Sequence, residues 1–301
     1  MSFIVSWLLF ALLSTVFEAT SDIMDKFILN RYKQPSTSYL VSLIIIQQIF
    51  AALIFIRIGA NFVYPDCLLA IGAGFIQAGF WLSFLKAMQV EDVSRVSAMS
   101  FVYPLFIFIA AGYLLGESLS MNSYLGATLI VISAVILSYR RTGDDSPLVL
   151  SPALKYVFLF WAFSILYSIY IKYMVAFMDE WHLYMWSSVG TLIAAILLMT
   201  NKGIRDDSLM MFTKGPFVVA SMFSEEVFDF LARIFIIFAY AEGSASLVSS
   251  VRSIQPLIVL LLVLPLNLFL PSVLNEELNR KSLASKFTAV ILVALGFYLI
   301  S

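Results

Sequence analysis

Three carboxylates and one guanidinium interrupt an otherwise apolar run of the chain, residues 216–239. The sequence SEEVFDFLAR lies near the middle of this run and supplies four charged side chains: Glu225, Glu226, Asp229 and Arg233. At ~100° per residue these side chains fall on one face of a helix. Because each charge would cost at least ~2.5–3.5 kcal/mol in lipid, we expect this face to line the protein interior or a water-filled cavity.

Proton exchange is the chemistry that these residue types favour. Asp229 and Arg233 are four residues apart and can pair on a helix, which leaves two carboxylates in excess. A buried carboxyl group that takes up and releases a proton is what a proton-coupled carrier needs. The competing interpretation is a neutral, hydrogen-bonded cluster that fixes helix packing.

The first apolar run contains a second set of acids, Glu18, Asp22 and Asp25, spaced three to four residues apart. Asp22 precedes Lys26 by four residues, so an ion pair at the helix end explains part of this pattern. Glu18 lies deeper in the run and is harder to explain in this way. Gln77, in the third apolar run, aligns with an acid of the eighth run when the chain is shifted by 152 residues. The candidate site therefore includes Glu18, Asp22 and Gln77.

Two prolines lie inside apolar runs at matching positions, Pro104 and Pro256. Each removes a backbone hydrogen bond and is expected to kink its helix. Kinks at matching positions in two halves of a chain favour a binding site between the halves, and an inherited bend without ligand contact is the alternative. Polar neighbours of these prolines join the candidate site: Tyr103, Arg252 and Gln255.

The elements that must position these groups are membrane helices. The 301 residues are 61% hydrophobic and 12% charged, whereas a soluble domain is nearer ~45–50% and ~25%. Since a span needs about 20 mostly apolar residues, the sequence predicts an all-α integral membrane protein with ten transmembrane helices. Their approximate bounds are 3–24, 38–58, 66–88, 95–115, 122–139, 153–174, 182–200, 216–239, 247–269 and 283–300.

Several function classes are excluded or disfavoured by composition. The net charge of −1 gives no indication of a nucleic-acid partner. A single cysteine and a single histidine exclude a disulfide within the chain and argue against a Cys/His metal site. Walker loops and HExxH motifs are missing from the sequence. We therefore expect no catalytic residue, cofactor or metal; the expected partners are a small-molecule solute and the lipid bilayer, with a homodimer left open.

The chain contains an internal repeat. At an offset of 152 residues, two blocks of the chain align and five of 18 aligned positions are identical: Ala87, Ser94, Val96, Ser97 and Pro104 match Ala239, Ser246, Val248, Ser249 and Pro256. Lys and Arg alternate between corresponding loops, so the positive-inside rule predicts two inverted repeats of five helices. The predicted units are residues 1–141, a linker at 142–152, and residues 153–301. Such inverted repeats are typical of secondary transporters.

Both blocks resemble the EamA repeat of the drug/metabolite transporter superfamily. Each has the pattern Ala-x6-Ser-x2-Ser-x6-Pro, and further similar positions surround the acidic turns and the ends of the spans: Lys26, Gly116, Glu117, Gly126, Lys172, Glu276, Glu277, Leu278, Lys286 and Gly296. The resemblance covers nearly the whole chain and implies a ten-helix transporter with a central cavity, without identifying a substrate. The eighth span is more acidic than is usual for this family.

Three functions remain open from the sequence. The repeat favours a secondary-active transporter that moves a small metabolite or drug-like solute by alternating access, with proton coupling. A polytopic enzyme that acts on a lipid phosphate through a carboxylate-bound divalent cation would also use the acidic cluster. A lipid-carrier flippase of the same fold would need a laterally open cavity. The expected location is the cell (cytoplasmic) membrane.

Overall fold

The computed structural model describes residues 2–115, 120–140, 149–269 and 280–300, and these residues are almost entirely helical. Within these ranges the first half forms α1 (Ser2–Tyr32), α2 (Ser36–Ile58), α3 (Asp66–Val90), α4 (Val93–Ser100), α5 (Tyr103–Leu115), α6 (Met121–Ser138) and strand β1 (Tyr139–Arg140). The second half forms strand β2 (Val149–Leu150), α7 (Leu154–Met174), α8 (Glu180–Leu198), α9 (Lys202–Met211), α10 (Pro216–Glu242), α11 (Ala245–Arg252), α12 (Gln255–Phe269) and α13 (Arg280–Ile300).

Among the described residues, seven helical segments are long and apolar enough to cross a membrane: Trp7–Tyr32, Ser36–Ile58, Asp66–Val90, Val93–Leu114, Leu154–Met174, Glu180–Leu198 and Ala245–Leu266. Helix α10 is long enough but falls outside this group because four charged residues lie near its middle. The prediction of a helical chain with many apolar spans is confirmed. The count of exactly ten spans stays a prediction.

Two apolar spans are each divided into two helices at matching positions. Helix α4 ends at Ser100 and α11 ends at Arg252, and in both cases the next helix begins three residues later. Pro104 and Pro256 lie in the first turn of that next helix, where a missing N–H breaks no helical hydrogen bond. The expected kinks are therefore complete breaks.

Helix α1 packs along α10 in the antiparallel direction. Near the start of the contact, Ser14 Oγ donates to Ala232 O at 2.8 Å, and further along α1, Ser21 Oγ donates to Glu225 Oε1 at 2.7 Å. The residue numbers rise on one helix as they fall on the other, which fixes the relative direction. Helices α3 and α7 form a second extensive pair, and α6 packs against α13.

Two lysines cap helix C-termini at equivalent positions. Lys26 Nζ lies 2.6 and 2.7 Å from two carbonyl oxygens at the end of α3, and Lys172 Nζ lies 2.8 Å from two at the end of α10. The acceptors are Met88 and Glu91 for the first lysine, and Tyr240 and Gly243 for the second. A cation suits this position because the last carbonyls of a helix have no partner within the helix. The contact of Lys26 also places the C-terminal ends of α1 and α3 together.

The predicted linker, residues 142–152, contains the second of two short strands, which pair Tyr139 with Leu150 and Arg140 with Val149. Residues 141–148 lie outside the described residues. The acidic turns at Gly116–Leu119 and Glu276–Leu278 also lie outside them. Helix α9, which the sequence did not predict, begins at an Asn201 cap whose Oδ1 accepts from Gly203 N at 3.0 Å.

Helices α3 and α8 approach each other through two glycines. A Cβ at Gly190 would press against Ile71 O, and one at Gly74 would press against Ser187 O, both closer than van der Waals contact. The obstructing atoms are backbone atoms, so they cannot move without shifting a helix.

We expect Gly190→Ala to destabilise the protein by about 1–3 kcal/mol, because it overpacks this backbone contact. Gly72→Ala is the matched control on α3, since its Cβ would lie 3.5 Å from Tyr170 OH, an ordinary contact. Thermal unfolding of the purified protein in detergent measures both variants. Equal unfolding temperatures for the two would contradict the proposed backbone contact.

Candidate functional site

Eight buried charged residues meet where α1, α10 and α11 come together, and we refer to them as the polar centre. Each is at most 8% exposed. Helix α1 contributes three acids and α10 three acids and an arginine, while α11 contributes one arginine. The members are Glu18, Asp22, Asp25, Glu225, Glu226, Asp229, Arg233 and Arg252.

Arg233 forms the first ion-pair group of the polar centre, entirely within α10. Its Nη2 lies 2.6 Å from Glu226 Oε1 and also contacts Asp229 Oδ2. The pair of Asp229 with Arg233 expected from their spacing is present. Glu226, seven residues before Arg233, joins it because two helical turns bring the two side chains onto the same face. Of the three acids that α10 contributes to the polar centre, Glu225 is the one that Arg233 does not contact.

Arg252 forms the second ion pair, which connects distant parts of the chain. Its Nη2 contacts Glu18 Oε2 on α1, and its guanidinium carbon lies 5.7 Å from the centre of the Phe101 ring. The sequence indicated that Arg252 would need an acid or an anionic solute group. The acid is Glu18, which joins the end of α11 to the middle of α1.

Asp22 interacts with the second helix break rather than with its own helix. Gln255 Nε2, at the start of α12, donates to Asp22 Oδ2 at 2.7 Å. Lys26, the partner expected from spacing, directs its ammonium group to the carbonyls that end α3. A helix C-terminus offers Lys26 several unpaired acceptors at once, whereas the i,i+4 pair offers only one.

Two carboxylates of the polar centre are bound by neutral donors. Tyr39 OH on α2 donates to Asp25 Oδ1 at 2.7 Å, and Ser21 Oγ on α1 donates to Glu225 Oε1 at the same distance. Sequence analysis left Asp25 out of the candidate site because it approaches the end of the first apolar run. Its position seven residues after Glu18, on the same helical face, is the signal that could have identified it.

Two adjoining cavities lie beside the polar centre. Each has a cavity volume of about 20 Å³, which is enough for about one group the size of a water molecule. Trp81, Asp229 and Arg233 line both. Four polar residues, one each from α1, α2, α8 and α10, also line the first cavity: Asp25, Gln47, Thr191 and Glu225. The second cavity is also lined by Glu18, Tyr167 and Arg252.

The wall of the first cavity contains a polar contact that sequence analysis missed. Thr191 Oγ1 on α8 donates to Gln47 Oε1 at 3.1 Å, and Gln47 Nε2 on α2 donates to Ser188 Oγ at 3.0 Å. Trp81 was considered only as one of several aromatic residues. Its role at both cavities depends on which helices surround it, and no spacing rule predicts that.

The remaining predicted residues lie near the polar centre without lining either of these two cavities. Gln77 is buried one helical turn before Trp81 on α3. Tyr103 is buried among aromatic rings, with its ring centre 5.7 Å from that of Phe101. Pro104 and Pro256 contribute the helix breaks described above. Within the described part of the chain, no three His, Cys, Asp or Glu side chains converge as metal ligands.

Comparisons with known proteins give a family for the first half and a fold for the whole chain. Residues 5–139 match the model of the EamA-like transporter family. A solved protein, described only as a crystal structure of a protein, shares the fold with a TM-score of 0.66. The match covers 98% of this chain and 97% of that one at 14% identity, so the likeness concerns the fold alone. No curated protein sequence matches the chain.

The family match includes most of α1 and all of α2 to α6, and therefore the helices that supply Glu18, Asp25 and Trp81 to the site. It agrees with the alignment of small residues and prolines found in the sequence. Over residues 5–139 the chain is therefore similar to the EamA-like transporter family, and the seven apolar helices among the described residues are those of a multi-pass membrane protein.

Proposed function

We propose that the protein is a secondary-active carrier of the cytoplasmic membrane that moves a small metabolite or drug-like solute by alternating access. The observation behind this proposal is the polar centre, which lies beside two cavities and joins α1 of the first half to α10 and α11 of the second. A solute bound there contacts both halves at once. Movement of one half against the other would then change the side from which the solute is reached.

The two halves are proposed to be inverted five-helix repeats, residues 1–141 and 153–301, joined by the linker at 142–152. The matched helix breaks and the matched lysine caps support the repeat. The packing directions support the inversion. The C-terminal ends of α1 and α3 lie together, whereas α10, which aligns with α3 at the 152-residue offset, runs antiparallel to α1.

Proton coupling is proposed to use Asp25 and Glu225. The polar centre holds six carboxylates and two guanidinium groups. Three of the carboxylates contact the arginines, and Asp25 and Glu225 are instead bound by hydroxyl donors. A carboxyl group bound by a hydroxyl can exchange a proton without breaking a buried ion pair, which is costly. Of Glu225 and Glu226, the two carboxylates that the sequence leaves in excess, this proposal keeps Glu225 as the proton site and assigns Glu226 to the ion pair with Arg233.

We expect Asp25→Asn and Glu225→Gln each to abolish the part of solute uptake that an imposed pH gradient drives, because an amide side chain has no carboxyl proton to exchange. The measurement is uptake into proteoliposomes of a solute first identified by a thermal-shift screen of metabolite pools. Asp206→Asn, an exposed acid on α9, is the control and should keep gradient-driven uptake. Unchanged gradient dependence in both variants would exclude these two acids as the proton site.

The Glu18–Arg252 pair gives a separate test of the site. We expect Glu18→Met to destabilise the protein by about 3–5 kcal/mol, because it leaves a buried guanidinium without its counter-charge. The double variant Glu18→Met, Arg252→Met should recover most of this stability, since no buried charge remains at the site. A thermal-unfolding double-mutant cycle in detergent measures the coupling. Additive effects of the two single changes would show that the pair is not an energetic unit.

One observation favours a second candidate, the lipid-carrier flippase of the same fold. An apolar groove with a volume of about 340 Å³ is lined by residues of α2, α8 and α10: Phe50, Leu53, Ile54, Arg57, Ile58, Trp181 and Phe230. Leu53 and Ile58 are exposed on the surface of the bundle, so the groove is laterally open. The stacked rings of Phe50 and Phe230, 4.7 Å apart, lie at the boundary between the groove and the polar centre.

A further inference from the structure

We propose that the transported solute is bipolar, with an ammonium group at one end and a hydrogen-bond-accepting or anionic group a few bonds away. The ammonium group would bind beside Asp25 and Glu225 in the first cavity. The accepting group would bind beside Trp81 and Arg252 in the second. This inference rests on the proposed carrier function and names the substrate class of the same site.

The first cavity has buried acceptors without donors. Glu225 Oε2 and Asp229 Oδ1 are buried oxygen atoms that have no hydrogen-bond partner in the described part of the chain. Asp25 and Glu226 line the same cavity, and Arg233 is the one cationic residue among its lining residues. Because Arg233 already contacts Glu226 and Asp229, it does not supply Glu225 with a counter-charge. An ammonium group in this cavity would supply both the charge and the donors.

Three buried donors that line the second cavity have no hydrogen-bond partner within the described part of the chain. Trp81 Nε1, Arg233 Nε and Arg252 Nε have no hydrogen-bond partner among the described residues, and all three side chains line this cavity. Each of these residues is at most 8% exposed, so water reaches them poorly. The indole N–H can only donate. A carboxylate, phosphate or carbonyl oxygen in this cavity would accept from it.

The unpaired acceptors and the unpaired donors are complementary, and the cavities that they line adjoin. An organic cation alone would leave the buried donors unsatisfied, and an anion alone would leave the buried carboxylates unsatisfied, although buried polar groups are normally paired. One molecule with both groups satisfies both cavities, because Trp81, Asp229 and Arg233 form the wall that they share. Each cavity has room for a small functional group rather than a large ring system.

Other titratable or charged groups face the same space and do not change this polarity. Tyr39 on α2 donates to Asp25, and Glu18 on α1 is neutralised by Arg252. Tyr167 on α7 lines the second cavity and carries a hydroxyl that can donate. The unpaired acceptor Glu225 Oε2 therefore faces only the first cavity and the unpaired donor Arg252 Nε faces only the second, while Trp81, Asp229 and Arg233 line both.

The test is a thermal-shift titration of the full-length protein in detergent with a ladder of linear amino acids: glycine, β-alanine, 4-aminobutyrate and 6-aminohexanoate. Butylamine, butyrate and their equimolar mixture are the single-ended controls. We expect at least one amino acid to raise the unfolding temperature more than the mixture does, because linking the two groups raises their effective concentration. Stabilisation by no member of the ladder, or equal stabilisation by butylamine alone, would overturn the proposal.

Two variants test which functional group of the ligand binds in which cavity. Trp81→Phe keeps the ring and removes the N–H, so it should weaken binding of the stabilising amino acid about tenfold while leaving butylamine unaffected. Glu225→Gln should weaken both ligands. Trp181→Phe, in the apolar groove, is the matched control and should change neither. Equal weakening of butylamine by Trp81→Phe would contradict the assigned orientation.

The same ligands separate this inference from the carrier function. Binding of an amino acid without uptake into proteoliposomes would contradict the carrier and preserve the bipolar site. Uptake of butylamine that an amino acid does not inhibit would preserve the carrier and contradict the bipolar site.

Discussion

A charged side chain inside a membrane protein must find its counter-charge within the bundle, because lipid offers none. This constraint determines how the helices around the polar centre pack. Arg233 satisfies Glu226 and Asp229 within α10, but Arg252 can satisfy Glu18 only if α11 lies against α1. The hydrogen bond from Ser21 to Glu225 then fixes the register of α1 along α10. Every cavity wall described above depends on this register.

Polar groups at the two helix breaks must also find their partners within the bundle. Where α4 ends, Trp161 Nε1 on α7 donates to Met99 O and Ser100 O at 3.1 and 2.9 Å. At the second break, the side chain of Gln255 bonds to Asp22 on α1. Interrupted helices are tolerated in membrane proteins where neighbouring helices cover the interruption. The breaks therefore lie inside the bundle and bring polar atoms near the cavities.

In the proposed repeat, positions that align between the two halves differ in their chemistry. At the 152-residue offset, the four charged positions of α10 align with Ala73, Gly74, Gln77 and Trp81 on α3. Gly74 permits the close approach to α8, whereas its counterpart Glu226 binds Arg233. Packing and charge are thus divided between equivalent helices. A symmetric framework with asymmetric side chains presents different groups to the two ends of a solute.

The sequence alone determined the helical membrane class, the inward charged face of α10 and the matched prolines at which the helices change course, because hydropathy, helical period and proline chemistry are local properties. Only the tertiary structure decided the partners. Arg252 pairs with Glu18 across 234 positions, Tyr39 binds Asp25, and Lys26 caps α3 instead of pairing with Asp22. Residue spacing predicts which side chains are neighbours on one helix, whereas these contacts depend on which helices pack together and where along their lengths they meet.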